Sequence, residues 1–170
     1  TEGTGRNALK LAKICEYVSK KFKVNIAVAS QYTDIQLVTS KTKILTFAQH
    51  IDAIDTGAYT GHISALAIKE AGAIGTLINH SEKRLTLKEI NKCIEIARKY
   101  DLISVVCSDS LMRTKDIAVL DPDFIAYEPP ELIGTGVSVS KTKPQVVTET
   151  VSLIKRINPR LKVLCVAGIV

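Results

Sequence analysis

The feature that most constrains this chain is an alternation. Short apolar stretches rich in β-branched residues, at 24–29, 44–48, 74–78, 103–107, 124–127 and 163–166, are separated by longer stretches whose apolar residues recur at helical spacing. Short continuous apolar runs read as parallel strands buried on both faces. Ala8, Leu11, Ala12, Cys15 and Val18 share one helical face, and Leu87, Ile90, Cys93, Ile94 and Ala97 share another. Thr86 with Glu89 makes a capping box, Pro144 suits a first helical turn, and Gly72 suits the end of a helix over 63–71. Strand and helix in repeated succession imply right-handed βαβ crossovers and a parallel sheet.

Two architectures are built this way. A doubly wound nucleotide-binding sheet carries a glycine fingerprint in its first strand-to-helix turn. Gly3-Thr4-Gly5 has no strand before it and lacks the third glycine. A (β/α)8 barrel instead places polar or ionisable residues at the carboxyl end of strand after strand, where its loops converge on one site. Gln49-His50, Asn79-His80-Ser81, Ser108-Asp109 and Glu128 each follow an apolar strand in that manner. The expected fold is therefore α/β, a (β/α)8 barrel, in a single domain over residues 1–170. The sequence holds six strands where the architecture has eight. The barrel is expected to be incomplete, with the first strand and the last β/α units missing, and Thr1 in place of Met agrees with a cut chain.

With 46% apolar residues, a chain of 170 can bury one sizeable core. No run of 18 or more apolar residues and no cleavable leader is present, so no membrane role is expected and the location is expected to be cytoplasmic. The net charge of +6 raises the question of nucleic acid. The lysines, however, are spread along helix faces without interleaved aromatics, which suits solvated faces and excludes nucleic acid as the expected partner. A positive field also draws a small anionic substrate. Cys15, Cys93, Cys107 and Cys165 form no Cys-x-x-Cys pair, which argues against a zinc knuckle or redox motif and for small buried thiols.

Chemistry concentrates in two segments. Glu128 ends the fifth apolar strand and is followed by Pro129-Pro130, a stiff step into a segment closing on Gly134-Thr135-Gly136. Its glycines free the backbone to approach an anion, and the whole reads as a lid. A carboxylate beside a water-excluding lid is a general base whose pKa desolvation raises; the other reading is a surface residue entering a loop. His80 ends the third strand just ahead of a helical region, whose amides favour a neutral imidazole able to donate to a developing oxyanion; the other reading is a structurally satisfied histidine.

Together, Tyr127-Glu128-Pro129 with Ile133-Gly134-Thr135-Gly136 and His80-Ser81-Glu82-Lys83-Arg84 resemble the triosephosphate isomerase family. Pro129-Pro130-Glu131-Leu132, Asn79 and Phe47-Ala48-Gln49-His50 are similar to its shorter archaeal branch. The resemblance runs in register from Thr1 to Ile169 and implies a TIM barrel. It implies that Glu128 moves a proton between adjacent carbons of dihydroxyacetone phosphate and glyceraldehyde 3-phosphate while His80 polarises the carbonyl. This family is itself the worked case of such pKa tuning, so the roles are inherited. It further implies substrate-phosphate contacts at Ile133, Gly134 and Gly168, a lid over 129–136, supporting roles near the site for Glu82 and Arg84, and an intersubunit loop at Ala58-Tyr59-Thr60-Gly61. His50 and His62 match no catalytic position and read as loop or interface histidines. No metal and no organic cofactor is expected, the partner is a small triose phosphate, and the complete protein is expected to be a homotetramer.

Departures from the family's pattern set an alternative. Its Asn-x-Lys strand would lie upstream of Thr1 and its final phosphate-binding strand beyond Val170. Val166 stands where the family has glycine, and its branched side chain hinders close backbone approach to phosphate. If the 170 residues were the whole product, an inactive or assembly-dependent barrel fragment would be expected instead.

Overall fold

The computed structural model describes residues 3–128 and 144–166. Its residues gather into two compact units, Thr1–Leu77 with Glu95–Ile103, and Ile78–Ile94 with Ser104–Val170. Helices and strands alternate in both.

The first unit runs α1 (Arg6–Phe22), β1 (Ala27–Ser30), α2 (Tyr32–Lys41), β2 (Leu45–Ala48) and α3 (Ala65–Glu70), and it holds most of β3 (Gly75–Ile78). Strands β1, β2 and β3 pair in parallel, with Ala27 opposite Leu45 and Phe47 opposite Gly75. Ala8 and Ala12 of α1 bury against Val38 of α2 and Ile44, with Cys15, Ile26 and Val28 packed around them. Leu11, expected on the same face, is 46% exposed. The buried stripe is narrower than the sequence implied, passing through small alanines that let α1 lie close. Strand β1 also begins later than expected. Lys23 caps α1 in a left-handed conformation and the Val24 N–H donates to the Ser19 carbonyl, so residues just after the helix serve its C-terminus before the strand starts.

In the second unit, β4 (Ile103–Ser108), α5 (Leu111–Ala118), β5 (Phe124–Tyr127), α6 (Pro144–Ile157) and β6 (Lys162–Cys165) follow one another. Strands β4, β5 and β6 are again parallel, with Val106 opposite Ile125 and Ile125 opposite Val163. Asp123, just ahead of β5, accepts both the N–H and the hydroxyl of Ser104 at 2.8 Å, while the Ser104 oxygen accepts the Asp123 N–H at 3.0 Å. Three hydrogen bonds thereby fix the register of β5 on β4, and with it every side chain at the strand's far end.

Helix α4 (Leu87–Lys99) contributes residues to both units. The capping box at its start is present. Glu89 accepts the Thr86 N–H at 2.7 Å, and the Thr86 hydroxyl accepts the Glu89 N–H at 3.2 Å. Pro144 opens α6, and Gly72 follows α3 with φ +94°. All six expected strands are present.

Gly75 is the most tightly enclosed of the described glycines. A Cβ there would lie 2.6 Å from the Ile103 carbonyl oxygen and closer still to the Phe47 ring. Gly75→Ala is expected to cost roughly 1–3 kcal/mol, the scale of overpacking a core. Urea unfolding midpoints measure it, and an unchanged midpoint would mean that both the Phe47 ring and the Ile103 backbone give way at no cost.

Candidate active site

Two strand ends of the second unit carry the ionisable groups that the sequence singled out. At the end of β5 the Glu128 N–H donates to the Ser108 carbonyl at 2.7 Å, continuing the β4 pairing one residue past the strand. The Val166 N–H donates to the Tyr127 carbonyl at 3.1 Å. The backbone at Glu128 is therefore held from two sides before its side chain does anything.

His80 follows β3 and opens a tight turn in which the Lys83 N–H donates to the His80 carbonyl at 2.8 Å. Inside that turn the Glu82 N–H points at His80 Nδ1, 3.3 Å away. The Glu82 carboxylate lies 3.5 Å from the same nitrogen but is 89% exposed. A backbone donor fixed by the turn outweighs a carboxylate swinging in water. Nδ1 accepts, so the ring proton sits on Nε2; this tautomer follows from the hydrogen bond. Nε2 faces Glu128, with Oε1 3.7 Å away.

Glu128 is only 9% exposed, and its Oε2 is buried with no hydrogen-bond partner among the described residues. Burial is the largest influence on its carboxyl and pushes the pKa above the ordinary value; the charge of Asp109 adds to this. His80, Arg84 and the Ser81 N–H directed at the carboxylate pull the other way. Arg84 and Asp109 form an ion pair at 3.2 Å, each about a third exposed. Cys107, opposite Ala126 on β4, is a buried thiol that burial and then the Glu128 charge push up to about 12. It is a neutral neighbour of the carboxylate at ordinary pH, as expected of a structural cysteine.

Chemically the arrangement offers a desolvated carboxylate able to take a proton and, close by, an N–H able to donate to an oxygen. A cavity of about 370 Å³ lies beside it, lined by Asn79, Arg84, Asp109 and Arg113 among others but by neither His80 nor Glu128. The reactive groups, not this cavity, mark the site. Among the described residues no cluster of three His, Cys, Asp or Glu side chains is arranged to hold a metal ion. Nor is any described helix long and apolar enough to cross a membrane.

His80 and Glu128, read from separate strand ends, are thus brought together. Ile133, Gly134 and Gly168, with the 129–136 lid, lie outside the described residues. Glu82 and Arg84 lie near the site, as expected. In the first unit, His50 is buried with Nε2 3.1 Å from Asp52, and His62 is 3.4 Å from the other Asp52 oxygen. Asp52 also accepts the Ile63 N–H at 2.8 Å, so both histidines serve the loop after β2. Arg113 was not singled out from sequence; its guanidinium donates to the Leu85 carbonyl at 2.6 Å.

The model of the triosephosphate isomerase family matches residues 2–170. The chain belongs to that family. Triosephosphate isomerases of Methanosarcina barkeri and Methanothermus fervidus are each 51% identical over 168 residues, covering 99% of this chain and 76% of the relative. That of Methanocaldococcus jannaschii is 48% identical and covered to 77%. The crystal structure of triosephosphate isomerase from Bartonella henselae, 22% identical, superposes with a TM-score of 0.76 over 96% of this chain and 77% of its own. The fold is accordingly that of the (β/α)8 barrel, represented here by six of its strands. The family is one of isomerases, and the chain is of that enzyme class.

Arg84 and Asp109 act on the Glu128 carboxyl in opposite directions. Arg84→Gln is expected to move the Glu128 carboxyl further up, because removing a positive charge removes a stabiliser of the carboxylate. Asp109→Asn is expected to move it down. Carboxyl ¹³C shifts followed against pH read both, and a Glu128 titration unmoved by either exchange would break the link.

Proposed function

We propose that the protein interconverts dihydroxyacetone phosphate and D-glyceraldehyde 3-phosphate through an enediolate, with Glu128 as the base and His80 as the electrophile. The observation that carries this reading is the pairing of a buried carboxylate, one oxygen unpartnered among the described residues, with an imidazole whose Nε2–H is turned toward it. Glu128 takes the C1 proton of the ketose while Nε2–H donates to the C2 oxygen, and negative charge collects on that oxygen rather than on carbon. Returning the proton to C2, with the C1 hydroxyl proton passing to the C2 oxygen, gives the aldehyde, so no redox partner is consumed.

Desolvation suits the carboxylate to this work. A base with a raised pKa binds the transferred proton more tightly, yet it must be ionised to begin. kcat/KM should therefore fall as pH drops through the Glu128 pKa, at a pH above the ordinary carboxylate range. Ile133, Gly134 and Gly168 would bind the substrate phosphate, and residues 129–136 would close over it to keep water from the intermediate. No metal or organic cofactor is needed, because the substrate's own carbonyl stabilises the carbanion. The setting that fits is glycolysis and gluconeogenesis in the cytoplasm, with the protein as a homotetramer. The barrel-fragment alternative has no observation in its favour.

Glu128→Gln is expected to slow turnover at least about 10²-fold, the usual scale of general-base catalysis. A coupled isomerase assay and solvent-deuterium incorporation at C1 of dihydroxyacetone phosphate both report it. Unchanged exchange in the variant would remove Glu128 from the role, and loss of activity on adding a chelator would overturn the metal-free reading.

A further inference from the structure

His80 is aimed by its neighbour. Asn79 has φ +61°, the left-handed conformation that a side-chain-bearing residue adopts at a cost. Three other non-glycine residues with positive φ are described. Lys23, Asp101 and Asp121 are exposed and follow the ends of α1, α4 and α5, where a helix commonly stops in this conformation. Asn79 alone of these four is buried, at 1% exposure, and it follows a strand.

Both ends of its amide are used. Nδ2 donates to the Cys107 carbonyl at 2.9 Å, at the end of β4, and Oδ1 accepts the Leu85 N–H at 2.8 Å. The Leu85 carbonyl in turn accepts from Arg113. Residues 80–84 therefore form a short loop, tied at its start by the peptide bond to Asn79 and at its far end by the Asn79 side chain. Within that loop lies the 80–83 turn whose Glu82 N–H fixes the His80 tautomer and ring plane.

We propose that Asn79 is a positioning residue for the isomerisation, holding the His80 Nε2–H on the line to the substrate oxygen. This rests on the role assigned to His80 above. Three demands meet at one position: a left-handed backbone, a donor toward Cys107 and an acceptor toward Leu85. Glycine meets only the first. Aspartate accommodates the first and keeps the acceptor, but sets a carboxylate oxygen against the Cys107 carbonyl in place of a donor.

Asn79→Gly is expected to lower kcat roughly 10- to 100-fold with KM little changed, the scale on which a misplaced catalytic group slows chemistry. In the His80→Gln background the same exchange is expected to cost nothing further, since it acts through a group already removed. Asn79→Asp provides the pH readout. Its rate relative to the unsubstituted protein should recover as pH falls and the N79D carboxyl gains a proton to donate to Cys107. A slow His80→Gln variant beside an unimpaired Asn79→Gly variant would overturn the proposal while leaving the role of His80 intact. Full additivity of the two exchanges would reduce Asn79 to a stabilising contact. Unchanged turnover in His80→Gln would overturn the reading on which both depend. Should Asn79→Gly not fold, the pH profile of Asn79→Asp decides alone, a flat ratio counting against it.

Discussion

A carboxylate held out of water at the end of a strand is the constraint around which the second unit is arranged. Leaving a buried oxygen without a partner costs about 1–3 kcal/mol, and more when it is charged. A side chain under that penalty tends to swing toward solvent. The backbone it departs from is fixed: Glu128 and Tyr127 are bonded to Ser108 and Val166, and the strand behind them is pinned by the Ser104–Asp123 staple. The side chain itself has the Ser81 N–H directed at its carboxylate and His80 Nε2 3.7 Å away, contacts that favour the inward position in which burial raises its pKa. A carboxylate relaxed into water would have its ordinary acidity and be a weaker base.

Charge around Glu128 is balanced rather than maximised. A lone arginine nearby would favour the carboxylate and drag its pKa down, undoing the desolvation. Asp109 takes up Arg84 at 3.2 Å and partly cancels its field. As a stabilising contact such a partly exposed pair is worth little. Its consequence is electrostatic, because both members act on Glu128 in opposite directions.

Much of this was legible in the sequence, for reasons that also explain what was not. Strands buried on both faces appear as unbroken β-branched runs, so all six could be read, and the capping box at Thr86 and Glu89 is written within four consecutive residues. His80 and Glu128 were legible because strand ends in a β/α chain are where ionisable residues need a reason to be. The contacts left unread join residues far apart along the chain. Asn79 meets Cys107 28 residues away, Arg113 meets Leu85 at the same separation, and Arg84 meets Asp109 across a comparable stretch. A left-handed asparagine at a strand end is a permitted conformation in any sequence, and its partners, the Cys107 carbonyl and the Leu85 N–H, select it. The exposure of Leu11 was misread in the opposite sense: its spacing is helical, but the alanines beside it carry the contact.

The same dependence on partners explains why a cysteine suits the place beside Glu128. Cys107 supplies the carbonyl that anchors Asn79, so its backbone belongs to the device that aims His80. Its thiol lies within reach of the Glu128 charge, and burial with that charge holds it near 12. At neutral pH it is therefore uncharged and only a weak hydrogen-bond donor. A hydroxyl or amide there would be a stronger donor, and donation to the carboxylate favours its ionised form and lowers its pKa. A second acid would do the reverse, raising Glu128 further and leaving less of it ionised. A small, polarisable and electrically silent side chain fills the volume and leaves the basicity of Glu128 to be set by desolvation, reinforced by Asp109 and tempered by His80 and Arg84.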